Sequence, residues 1–357
     1  MYLALRDIRF AKGRFALMGS VVALITLLLV MLSGLTAGLA NQSTSGIEEL
    51  NATTIAFGAP EGDEPKASYT ESQVSADQLR TWQQADGVVN AEALGISQAR
   101  IQSGGTANAA VFGAVPDSAL APDQLSTGSA VVSNQLAIDL RLTVGDTASI
   151  NGTDLQVAAI IEDQWYSHTP VVWTTLTDWQ DLSRVSDPDV IGTVIAATYD
   201  DATGQLTDID RTARTTSTTK TESFSALASF GSENGSLKMM QGFLYGISAL
   251  VIVAFLTVWT VQRTRDIAVL KALGGSNKYI LGDAMTQAAI VLVAGASVGG
   301  VLGLGGGLIA IQAAPFTISP ATTLVPIIGI VLLGLAGSVL AVRRVTKIDP
   351  LIALGGN

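Results

Sequence analysis

Four apolar stretches, unevenly spaced, limit what this chain can fold into. One covers residues 15–39, and three more lie close together near 243–261, 284–311 and 324–342. Between the first and the second runs a long polar, acidic segment. A bilayer core of about 30 Å is crossed by ~20 apolar residues in a helix, so each stretch is long enough to span it. One span, a large insertion and three more spans describe a membrane protein with an external domain on stalks. A channel or a compact carrier would not be built this way. The mean hydropathy of +0.43, with 48% hydrophobic residues, fits a membrane bundle joined to a soluble domain.

Charge orients the layout. Residues 41–240 hold 26 of the 30 acidic residues but only 9 of the 20 basic ones. The remaining basic residues sit in three short flanks: Arg6, Arg9, Lys12 and Arg14; Arg263, Arg265, Lys271 and Lys278; Arg343, Arg344 and Lys347. Short basic flanks stay in the cytoplasm. Four spans then place both termini inside and the acidic insertion outside, as in a multi-pass cell-membrane protein. An acidic outer domain argues against nucleic acid as a partner. The chain has no Cys and one His, which excludes disulfides, thiolate metal sites and multi-His centres within one chain. The first span exceeds the ~7–15 apolar residues of a signal peptide, so it reads as a retained helix despite its basic start.

The expected divisions are a cytoplasmic amphipathic helix at 1–14, spans at 15–40, 239–262, 281–313 and 322–343, and stalks plus external domain at 41–238. A cytoplasmic coupling helix at 263–280, a short external loop at 314–321 and a cytoplasmic segment at 344–357 complete the chain. The insertion mixes β and α signals, so the fold class is an α-helical membrane protein with four transmembrane helices and an α+β domain between the first and second. Residues 129–132, 147–150, 156–161, 171–173 and 193–198 read as strands, and 75–84 and 176–182 as helices, the first capped by Ser75. The Thr-rich stretch 212–219 reads as loop. Asp349-Pro350 opens a short terminal helix. Asp283, the one acid near a span, reads as a helix-start residue.

Small residues mark close helix contacts. Gly34 and Gly38 at the end of the first span, and Gly295, Gly299, Gly303 and Gly307 in the third, recur every four residues. They suit packing within the chain or a subunit interface. No phosphate-binding loop of the form G-x-x-x-x-G-K-[ST] is present, and no Ser/His/Asp arrangement suggests catalysis. His168, among Trp165, Tyr166 and Pro170, reads as a structural residue beside a strand.

Three segments carry a resemblance. RTRDIAVLKALGG at 263–275, LTVGDTASINGTDLQVAAII at 142–161 and KIDPLIALGG at 347–356 resemble, in order, the cytoplasmic signature, external domain and closing motif of MacB/FtsX-type ABC-transporter permeases. The resemblance implies a non-catalytic subunit working as a homodimer on two copies of a cytosolic ABC ATPase, which would bind ATP and Mg. Docking into that ATPase would fall to Ile267, Val269 and Leu270, with Arg265, Asp266 and Lys271 at the rim. The alternative is a solvated turn whose charge only sets topology.

Within the family the chain most resembles the haem-exporting permeases of Gram-positive bacteria. The likeness is in its first ten residues, the Ser33–Leu39 end of the first span, an acid after it (Glu48 or Glu49), the pair Met239-Met240 and the stretch Trp165–His168. It implies haem as a transported ligand rather than a prosthetic group, with Met239, Met240 and Glu48 as iron ligands and Glu49, Met31, Phe243 and Tyr245 lining the slot. Haem is flat and apolar, and its iron accepts thioether or oxygen ligands. Read without the resemblance, the Met pair is interfacial packing and the two Glu are a solvated stalk. Cargo would enter from membrane lipid between the first two spans and be squeezed outward by ATP binding. A lipid, lipoprotein or antimicrobial peptide is the alternative cargo, and an FtsX-like transmitter controlling a cell-wall hydrolase is the alternative class.

Overall fold

The computed structural model describes residues 12–60, 62–185, 187–200, 206–262, 269, 274 and 276–346. Residues 1–11, most of the turn at 263–275 and the terminal segment from 347, with the helices expected there, lie outside the described residues. The chain divides into two compact units, Met1–Gly38 with Ser236–Asn357, and Leu39–Gly235.

The first unit is helical. Among the described residues, four helices are long and apolar enough to cross a membrane: α1 (Lys12–Glu48), α6 (Ala228–Gln262), α7 (Asn277–Ala310) and α8 (Pro320–Thr346). Ser276 caps α7, its hydroxyl accepting from the Tyr279 N–H. Asp283 therefore lies in the second turn and not at the helix start, where it accepts a bond from the Gln287 side chain one turn on. The bundle's core gathers Phe15, Met18, Val22 and Leu29 of α1, Ile252, Leu256 and Trp259 of α6, Val291 and Leu292 of α7 and Ile330 of α8. Phe15 and Trp259 meet edge to face at 5.3 Å.

The second unit is an α+β domain. Its strands are β1 (Thr54–Phe57), β2 (Val74–Ser75), β3 (Val88–Gln102), β4 (Thr106–Ala114), β5 (Ser129–Ser133), β6 (Thr147–Ile150), β7 (Thr153–Ile161), β8 (Trp165–Tyr166), β9 (Thr169–Thr175), β10 (Val190–Gly192), β11 (Val194–Tyr199) and β12 (Thr216–Thr219). Four short helices interleave: α2 (Ala76–Gln83), α3 (Asn134–Leu140), α4 (Leu176–Ser183) and α5 (Leu206–Ala213). The main sheet runs β12-β1-β11-β3-β4-β9-β5-β7-β6, with β8 on β9. β6 also returns to the tail of β3 through Ile101 and Gln102, so six strands close on themselves.

Alternation along the strands feeds separate cores on the two faces of the sheet, and a further cluster gathers around Trp82, Ile195 and Ile209. Phe112, Val131 and Val171 point to a cluster with Ile47, Phe57 and Trp173; their neighbours Val111, Val132 and Val172 point to one with Leu136, Leu155 and Trp179. The cap expected at Ser75 is present, and Gln78 completes it as a capping box. The stretch 212–219 is not all loop. Thr216–Thr219 pairs with β1, because the Asp210 carboxylate accepts from Thr215 and from both the N–H and hydroxyl of Ser217, lining the backbone up beside that edge. The last turns of α1 and the first turns of α6 lie within this unit, so the expected stalks are helix continuations.

Candidate functional site

The domain holds the end of α1 with a hairpin. β8 and β9 join through Ser167 and His168, which both take left-handed backbone, φ 47° and 63°. Two such residues form the tight turn that suits a twisted hairpin, at a cost of about 1–2 kcal/mol for each residue that is not Gly. The turn spends its backbone donors outward: Ser167 N–H donates to the Ser43 carbonyl and His168 N–H to that of Gln42. Trp165 N–H adds a bond to Ser45 Oγ. Gly46 lets the helix lie against this hairpin, since a Cβ there would sit 3.0 Å from Val171 and 3.1 Å from the Trp165 carbonyl. Below it, Lys220 Nζ donates to the carbonyls of Glu48 and Leu50.

His168 then reaches the opening turns of α6. Its Nε2 lies 2.9 Å from Glu233 Oε2 and 3.2 Å from Ser43 Oγ. A carboxylate only accepts, so Nε2 carries the proton and donates to Glu233. Sequence reasoning placed His168 beside a strand but missed this role. The partners lie over a hundred and over sixty residues away along the chain, and no local pattern marks them.

The cargo candidates fall in both units. Glu48 is exposed, and among the described residues its carboxylate has no partner; Glu49 accepts a 2.7 Å bond from Gln164 Nε2 and is engaged within the domain. Met239, Met240 and Phe243 on α6 are all more than half exposed. Met31 and Tyr245 are packed instead. Met31 Sδ stands 3.2 Å from the Cβ position of Gly306, and Tyr245 lies against Gly329 of α8. Gln241 Nε2 donates to Thr36 Oγ1 at 2.9 Å, stitching α6 to α1 one to two residues from the Met pair.

Both glycine rows are used inside the chain. A Cβ on Gly295 or Gly299 would lie 2.7 Å or 2.2 Å from the carbonyl of Gly19 or Ala23, and one on Gly303 would strike Val30 at 2.8 Å. Gly34, Gly38 and Gly307 admit the loop after α7: Phe316 fills the space at Gly34 and Gly307, and the Pro315 carbonyl that at Gly38. Of the coupling residues, Val269 is described, helical and exposed; Arg265, Asp266, Ile267, Leu270 and Lys271 lie outside the described residues.

Two further clefts stand out. One of about 690 Å³ in the domain is lined by Tyr69, Ile96, Tyr166, Trp179, Arg184 and Ser229, among others. One of about 410 Å³ between α1 and α7 is apolar except for Lys12 and Ser20. Among the described residues no group of His, Asp and Glu could hold a metal ion.

Residues 239–350 match the family of FtsX-like permease C-terminal domains. Over its full length the chain is 25% identical to a putative hemin transport system permease protein HrtB of Staphylococcus epidermidis, covering 99% of that protein. It is 26% identical to an uncharacterized ABC transporter permease of Mycobacterium tuberculosis, again over 100% of this chain and 99% of the relative. Among solved structures, it is similar to the periplasmic region of MacB from Actinobacillus actinomycetemcomitans, with a TM-score of 0.35 and 12% identity over 48% of this chain and 91% of that one. Among the described residues, four membrane-length helices, a β-rich domain after the first and the match over 239–350 place an FtsX-like permease C-terminal domain at the end of a chain that is similar from end to end to ABC-transporter permeases.

Proposed function

We propose that this chain is the permease subunit of an ATP-driven efflux pump that exports haem. The observation that carries this reading is the end-to-end likeness to permeases named for hemin transport. Local chemistry supports it. Glu48 offers a free carboxylate, and Met239, Met240 and Phe243 offer thioethers and an aromatic face on the exposed side of α6. Such groups suit an iron that must be bound and then released. Glu49, already held by Gln164, and the packed Met31 and Tyr245 take secondary places.

The working unit is a homodimer on two copies of a cytosolic ATPase, which binds ATP and Mg and docks at residues 263–280. Both termini face the cytoplasm and the domain faces outward, as the basic flanks favour. Haem enters from membrane lipid between α1 and α6, and ATP-driven closure squeezes it outward. On that route the Gln241–Thr36 bond, next to the Met pair, is one of the contacts that part.

The test is a visible absorption titration of the purified dimer with haem. The wild type is expected to shift the Soret band, Glu48→Ala and the pair Met239→Ala/Met240→Ala to weaken the shift, and Glu49→Ala to leave it nearly unchanged. A wild type that gives no Soret shift removes haem as the cargo and leaves the permease type standing, with a lipid, lipoprotein or peptide next in line.

A further inference from the structure

We infer that His168 is a positioning residue that clamps the two helical stalks together on the domain, so that they and the domain move as one body. The inference rests on the permease reading above and adds the place where motion of the helices is handed to the domain.

The geometry has three parts. The stalk end of α1 is fixed to the hairpin by backbone bonds at Gln42 and Ser43 and by the Ser45 hydroxyl. The opening turns of α6 offer Glu233. One imidazole nitrogen reaches both, at 3.2 Å from Ser43 Oγ and 2.9 Å from Glu233 Oε2. The ring stands in a tight turn of two consecutive left-handed residues, which projects it from the hairpin tip to within reach of both helices. The pair is only partly shielded, with His168 31% and Glu233 45% exposed, so its contribution to folding is small and its deletion leaves the domain intact. Its effect is on geometry.

The absence of Cys gives a clean test. Full-length chain with its partner ATPase is reconstituted in lipid nanodiscs, and ATP hydrolysis is followed beside haem protection of cells carrying the same variants. His168→Ala and Glu233→Ala are expected to keep hydrolysis and the thermal midpoint near wild type while protection falls at least about fivefold, the size of an ordinary coupling loss. His168→Gln, which keeps an N–H donor, should recover part of it. The double variant Ser43→Cys/Glu233→Cys should be uncoupled while its thiols are free, and recoupled when a short bifunctional thiol reagent joins them. Protection that stays at wild-type level in His168→Ala overturns the clamp, as does loss of protection on bridging, which would mean that the stalks must part here. Failure of the underlying reading looks different: a wild type that gives neither ATP hydrolysis with its partner nor protection from haem.

Discussion

Tyr69 and Tyr166 meet edge to face in the domain core, ring centres 5.9 Å apart. Burial raises both phenols well above the usual tyrosine range, and the bond from Tyr69 to Ser223 offsets this only in part. The unfolded chain releases these protons near pH 10, where the folded chain still holds them, so folding becomes less favourable as pH rises past that point. The domain is expected to keep a flat thermal midpoint to about pH 9 and to lose stability steeply above pH 10. Tyr166→Phe should flatten the loss when midpoints are read by near-UV circular dichroism. Trp82 gives a second residue-scale expectation. It is fully buried, and its indole N–H donates to Thr215. Trp82→Ala should cost about 3–5 kcal/mol in denaturant unfolding. Ser75 with Gln78 was legible in the sequence because a capping box is local. The Trp82–Thr215 and His168–Glu233 contacts were not, because they join segments whose proximity is set by the sheet.

At the scale of elements, the four long apolar helices were readable from hydropathy alone, and the strands expected at 129–132, 156–161 and 171–173 lie inside β5, β7 and β9. The long hairpin of β3 and β4 escaped notice. Its alternation is carried by Ala and Gly as much as by large residues, which blurs the period-two signal. β12 was hidden for a related reason, since a Thr-Ser-Thr-Thr run has the composition of a loop and becomes a strand only beside β1. The glycine row on α7 left packing within the chain and a subunit interface equally open. In the structure it faces α1, because its missing Cβ atoms make room for backbone carbonyls. Gly299→Val should force the two helices apart and cost about 1–3 kcal/mol, read as a lowered thermal midpoint in detergent. Gln241→Leu removes the bond to Thr36 while keeping bulk, and should loosen α1 from α6, read as a lowered thermal midpoint in detergent.

For the whole molecule, the proposed orientation rests on where the charge lies. Asp123→Cys, on the exposed surface of the domain, should react with an impermeant thiol reagent in intact cells, and Ser276→Cys, at the start of α7, only after lysis. The reverse pattern would turn the protein over in the membrane. The candidate site was legible only in its ingredients. The sequence supplies a carboxylate, two thioethers and a ring, but which are free depends on distant neighbours: Gln164 occupies Glu49, while Gly306 and Gly329 receive Met31 and Tyr245.

The glycine contact also has a mechanical side. Small residues every four positions cut a row of notches into a helix. On α7 the notches are Gly295, Gly299 and Gly303, and Val22, Thr26 and Val30 of α1 stand in them beside the Gly19 and Ala23 carbonyls. Such a pair resists separation, because the backbones touch, and resists lengthwise slip, because each notch holds a side chain. α1 and α7 are thereby keyed along this stretch like a shaft in its slot, and a push on one is carried by the other.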